Sequence, residues 1–163
     1  MESVLLPTAY LGNVEYYSII NQYDKSEIEV NETYPKQTYR NRCTILGANG
    51  ALDLVIPVKK KSGEKTLTKD IEIAYSENWQ RVHSYAIKSA YNSSPFFEFY
   101  FDYFQPFYQK EFNFLIDFNM GLHEVVMKAL KLKKEIRKTD NFVMPRDHDD
   151  YRFSISPKKP PQM

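Results

Sequence analysis

The chain has 163 residues, a net charge of +1 and a single cysteine, Cys43. That length fits one domain with a real core, and a lone cysteine excludes an intrachain disulfide and any multi-cysteine metal site. The near-neutral balance argues against general nucleic-acid binding, which draws on basic domains. There is no apolar run of about 18 residues and no signal-peptide pattern, which argues for a cytoplasmic protein with no membrane partner.

Taken in order, Ser3 to Leu6 is an apolar run ended by Pro7 and reads as a first strand. Tyr10 to Tyr23 predicts a helix, with Asn13 as N-cap and Glu15 near the positive dipole end. Glu27 to Val30 reads as a short strand, and Asn31 to Pro35 as a turn in which Pro35 holds Tyr34 extended. Residues 38–46 and 51–58 read as a hairpin around Gly47-Ala48-Asn49-Gly50, because Asn-Gly between strand-like runs tolerates positive φ. In the second strand Leu52, Leu54, Ile56 and Val58 alternate onto one face, which predicts burial. In the first, Thr38, Arg40, Arg42 and Thr44 share a face.

Lys59 to Lys69 reads as a polar loop and Ile71 to Tyr75 as another strand. The second half is helical. One helix runs from Trp79 to about Asn92 with Trp79, Val82, His83, Ala86 and Ala90 on an inner face. Ser94 and Pro95 open a second, very aromatic helix that includes Phe96, Phe97, Phe99, Tyr100, Phe101, Tyr103 and Phe104 and ends or kinks at Pro106. The longest spans about Lys110 to Lys133 with Asn119 and His123 on its inner stripe. From Val143 the periodicity stops. The expectation is one domain over 1–142, an extended or disordered tail over 143–163, and an α+β fold. Its mixed or antiparallel sheet comes from the N-terminal half and packs against helices from the C-terminal half. Residues 3–30 could instead add a parallel pair.

Charge is unevenly spread. Residues 1–35 sum to −5, residues 36–61 to +5, and residues 62–142 balance. Arg40 and Arg42, two apart on a strand, could aim both guanidinium forks at one oxyanion. The plainer reading pairs them with the acidic arm. Gln37, Asn41, Asn49 and Tyr91 could supply neutral hydrogen bonds to a sugar, and Lys59 a further phosphate contact. His83 is either a hydrogen-bonded core residue or a general base facing the arginines. Cys43 reads as a buried small hydrophobe. His148 in Asp147-His148-Asp149-Asp150 could hold a metal weakly, and a solvated acidic tail accounts for it more simply. Phosphate-binding glycine loops, GxSxG and HExxH are absent, and no cofactor is expected.

The chain resembles the WbqC-like family of bacterial proteins. The resemblance rests on Gln37-Thr38-Tyr39-Arg40-Asn41-Arg42, on Gly50 with Leu52-Asp53-Leu54-Val55-Ile56-Pro57-Val58, on Trp79 and His83, and on Ser89-Ala90-Tyr91 followed by Pro95-Phe96-Phe97. It covers roughly residues 3–130. Many members carry His-Gln-Pro near the N-terminus. Leu5-Leu6-Pro7 keeps only the proline, so a catalytic role for that histidine would not carry over. The family takes its name from O-antigen gene clusters. The resemblance implies a cytoplasmic role in making or modifying activated sugars for surface-polysaccharide biosynthesis. The basic hairpin beside a helix with an inward histidine adds the leading reading, a transferase-like protein acting on a nucleotide-activated or phosphorylated sugar, with His83 as base. The alternative is a non-catalytic interaction or scaffold protein whose aromatic region docks a protein partner or a second copy.

Overall fold

The computed structural model describes residues 3–59 and 65–161. Strand β1 (Ser3–Pro7), helix α1 (Val14–Gln22) and strand β2 (Lys25–Glu29) form a parallel strand–helix–strand unit. Val4, Leu5 and Leu6 are fully buried, as an apolar run closed by proline dictates. Asn13 caps α1, its Oδ1 accepting from the Tyr16 N–H at 2.9 Å. A third parallel strand, from far along the chain, flanks β2 on its other side, giving the order β1, β2, then residues Glu135–Lys138. The free edge of β1 is covered too: Leu5 N–H donates to the Asp149 carbonyl at 2.8 Å, and Tyr151 N–H donates to the Leu5 carbonyl at 2.9 Å.

Strands β3 (Arg42–Gly47) and β4 (Gly50–Val55) make the hairpin. The expected first strand starts four residues late. Gln37 takes a left-handed φ of 58°, residues 37–41 bend, and Arg40 turns inward to Glu32. Ala48 and Asn49 form the turn, and only Gly50, at φ 111°, uses the positive region. Leu54 and Ile56 are buried as expected, whereas Leu52 is exposed. Residues 71–75 are not a continuous strand. Instead Ile73 bridges Val58 and Glu72 bridges Phe114. Lys60 and Lys61, counted in the basic stretch, lie outside the described residues.

Helices α2 (Trp79–Tyr91), α3 (Phe97–Phe104) and α4 (Leu115–Ala129) follow. Helix α4 starts later than its composition suggests. The Ile73 N–H donates to the Asn113 carbonyl and the Leu115 N–H to the Ile71 carbonyl, and Phe114 between them stays extended ahead of the helix. Helix α3 starts after Phe96, which adopts φ 64°, so Ser94 and Pro95 precede rather than open it. On α2, Val82 faces solvent, not the core. The last strand, β5 (Glu135–Lys138), sits in a lysine-rich stretch with no strand-like alternation.

Two cores result, and α4 joins them. Leu115, Phe118 and Leu122 pack with the hairpin, Trp79 and Tyr108. Ile116 and Met127 pack with the parallel sheet and α1. The seam is polar: the Asn119 amide donates to the Arg40 carbonyl at 2.7 Å and to Thr8 Oγ1 at 3.3 Å. The stretch 143–161, expected as a tail, contributes a wholly buried Arg152 and Ile155.

Candidate functional site

Arg40 does not present its fork to solvent. It is buried, its Nε sits 2.6 Å from Glu32 Oε1, and its Nη2 donates to the Arg152 carbonyl at 3.4 Å. Glu32 belongs to the acidic arm, so this is the plainer of the two readings of that arginine. Behind the pair lies a larger buried ion cluster. Arg152 donates to Asp150 through Nη2 at 2.7 Å and Nε at 3.0 Å, and reaches Glu29 Oε2 at 3.4 Å. Burial pushes the Asp150 carboxyl up, but donation from Arg152 and from the Arg146 and Arg152 N–H groups outweighs it and holds the carboxyl low. Glu29 is satisfied further by Thr139, by Asn31 N–H and by Val143 N–H.

Arg42 stays half-buried opposite Val55, with its Nε buried and unpartnered. Both arginines lie near Tyr34, whose hydroxyl burial pushes up to about 12 against their pull. Asn41 spends its amide on the Ile56 carbonyl at 2.9 Å. Gln37 and Asn49 are exposed, Lys59 is exposed 3.9 Å from Glu72, and Tyr91 closes α2 partly exposed. The structure therefore brings Arg42 and His83 to the two sides of Val55, but it does not gather the eight residues into one pocket.

His83 is buried. Its Nδ1 lies 2.9 Å from the Tyr10 hydroxyl, which lies 2.8 Å from the Tyr108 hydroxyl. The Val55 main chain also hydrogen-bonds the ring. With Nε2 carrying the ring proton, Tyr10 O–H donates to Nδ1 and Tyr108 O–H donates to the Tyr10 oxygen. Burial lowers the His83 pKa to about 4, partly opposed by the Val55 bond. The ring is thus neutral near pH 7 with both nitrogens engaged. It fixes Tyr10 rather than standing ready as a base.

Tyr108 opens this chain onto a groove of about 710 Å³ between α2 and residues 105–109. Arg81, Ser84, Tyr85 and Lys88 line one wall, and Gln105, Tyr108 and Gln109 the other. No carboxylate lines it. Among the described residues neither Arg81 nor Lys88 has an ion-pair partner. Lys88 instead sits over the Phe101 ring, 5.9 Å from its centroid. The sequence marks the inner face of α2 through Trp79 and His83, whereas these residues lie on its outer face. Their spacing of three, four and seven residues is a polar stripe at helical period. Among the described residues no group of three or more His, Cys, Asp or Glu could hold a metal ion, and no helix is long and apolar enough to cross a membrane.

The family model of the WbqC-like protein family matches residues 8–158. The chain belongs to the WbqC-like protein family. Neither a curated protein nor a solved structure matches it. The match to this WbqC-like chain runs past α4 to residue 158. It therefore takes in β5 and the segment that delivers Asp150 and Arg152 to the buried cluster.

Proposed function

We propose that this WbqC-like chain binds a nucleotide-activated or phosphorylated sugar in the α2 groove and acts as a transferase-like protein in surface-polysaccharide biosynthesis. The observation that carries the reading is a groove with no carboxylate in its lining and two cations that have no ion-pair partner among the described residues. Arg81 and Lys88 suit phosphate oxygens. Ser84, Gln105 and Gln109 suit sugar hydroxyls, and the exposed Tyr85 ring offers a stacking face. The volume falls in the range that small-molecule sites use. In this reading His83 is a positioning residue, acting through Tyr10 on the buried hydroxyl of Tyr108, a residue that also lines the groove. Arg42 is the one hairpin cation with an unpartnered buried nitrogen, which makes it the competing anchor.

A thermal-shift panel of sugar nucleotides and sugar phosphates tests this. A ligand at 100 times its Kd stabilises by about 2.7 kcal/mol. Arg81→Ala with Lys88→Ala should remove the shift, and Arg42→Ala should leave it. No shift across the panel refutes the reading. Loss with Arg42→Ala alone moves the ligand to the hairpin and overturns the groove assignment.

The exposed rings of α3 favour a second reading, a non-catalytic interaction or scaffold protein. Phe96, Phe99 and Tyr103 are 76%, 59% and 55% exposed. Such a protein would show no shift with any sugar nucleotide.

A further inference from the structure

Helix α3 wears its rings on the outside. Only Phe101 of this helix is buried, while Phe99, Tyr100 and Tyr103 stand into solvent, preceded by an exposed Phe96. Leaving such rings wet forgoes the burial that large aromatic side chains otherwise gain. Phe99, Tyr100 and Tyr103 form one side of a groove of about 360 Å³, and Val125, Lys128, Ala129 and Lys131 of the α4 end form the other. No carboxylate lines this groove either. Beyond it come the exposed Leu130 and Lys133. Among the described residues Lys128, Lys131 and Lys133 have no ion-pair partner.

We infer that this face docks on an anionic phospholipid bilayer. Phenylalanine and tyrosine beside unpaired lysines is what a headgroup boundary selects. The rings sit at the depth where apolar and wet layers meet, and the lysines extend to lipid phosphates. A protein partner fits this face less well, because the centres of protein interfaces are depleted in lysine. Glu98 and Asp102 do not line the groove; they border its α3 wall, Asp102 one turn from Phe99, and set the limit of the contact. The lack of an apolar spanning run speaks against a segment that crosses the bilayer, and has no bearing on a face that lies on it. The inference is independent of what the α2 groove holds. Its position adds sense to it, since Lys88 of that groove covers Phe101 of α3.

Co-sedimentation of the full chain with vesicles tests the inference, using phosphatidylcholine alone and phosphatidylcholine with phosphatidylglycerol. The chain should pellet only with the anionic vesicles, and less so as salt rises. Each lysine near such a surface contributes about a fivefold gain in partition, so Lys128→Gln with Lys131→Gln should weaken binding by about 25-fold. Phe99→Ser with Tyr103→Ser should abolish pelleting while the chain still unfolds cooperatively with only a modest fall in thermal midpoint, since those rings are more than half exposed and touch mainly each other and Tyr100. A chain that stays in the supernatant overturns the inference. So does a ring variant that pellets as well as the parent, which would mean contact by charge alone. Sedimentation equilibrium supplies the last arm. A parent dimer that Phe99→Ser with Tyr103→Ser converts to a monomer would assign the face to a second copy and overturn lipid docking.

Discussion

Replacing Arg152 with methionine should cost this chain a large part of its stability. The guanidinium is wholly buried among Asp150, Glu29 and the Val143 carbonyl, which accepts from Nη1 at 2.7 Å. Methionine keeps much of the volume and removes every donor. Two carboxylates then remain in the interior without their cation, and Val143 loses its bond. Breaking a buried ion pair from one side costs about 3–5 kcal/mol, because the partner charge stays behind uncompensated. For a chain of 163 residues, each kcal/mol moves the thermal midpoint by about 2–4 °C, so the expected fall is roughly 6–20 °C. Urea unfolding followed by circular dichroism gives the free energy, and calorimetry gives the midpoint. The charge argument makes a second demand. Adding Glu29→Gln and Asp150→Asn to Arg152→Met should return part of the loss, since neutral amides tolerate burial better than bare carboxylates. A loss below about 1 kcal/mol, or a triple variant no better than the single one, would refute the reasoning.

The two core imidazoles predict an acid-sensitive window. Burial lowers both His83 and His123 to about 4, against an unfolded value of about 6.5. As pH falls below 6.5 the unfolded chain takes up protons that the folded chain refuses. Stability is therefore full above about pH 7 and declines toward pH 4, by on the order of 3 kcal/mol per ring. The His83 and His123 imidazole resonances followed by NMR should not titrate near pH 6.5; if either does, the burial argument fails. Asn13→Ala removes the acceptor for the Tyr16 N–H and should cost about 1 kcal/mol in urea. Gly121→Ala would gain helix propensity, but its new carbon would lie 2.5 Å from Phe107 Cε1. That ring is stacked on Phe112 and edged by Phe118. Overpacking should win, for a net loss of about 1–2 kcal/mol, and a stabilised variant would contradict it.

The parts of the fold legible in the sequence are those written in local code. Asn13 announced the start of α1, Pro7 the end of β1, and Asn49-Gly50 the hairpin. The parts that were not legible depend on distant partners. Glu135 to Lys138 carries charges of both signs at neighbouring positions and becomes a strand only because β2 offers it an edge. Arg40 reads as a surface cation until Glu32 and the Arg152 carbonyl are brought around it. Arg152 stands in a stretch without periodicity, and nothing local marks it as a core residue. The candidate groove was missed for a different reason. The inner face of α2 carries His83, whose partner Tyr10 lies 73 residues away, and Tyr10 in turn bonds Tyr108, 98 residues from it in sequence. The unpaired cations lay on the outer face of the same helix.

The seam along β1 has a consequence for how the chain is made. Its outer edge is closed by Asp149 and Tyr151, and its neighbour β2 is flanked by β5. A ribosome delivers β1 first and residues 149–151 much later, so the strand spends most of synthesis with one row of amides unclaimed. Closing that edge requires bringing together positions more than a hundred residues apart, a slow, late step by loop-closure and topology arguments. Until then β1 is an open apolar edge of the kind that pairs with other chains. The nascent chain is therefore aggregation-prone while that edge stays unclaimed, and the segment around Asp149 to Arg152 is what ends that exposure.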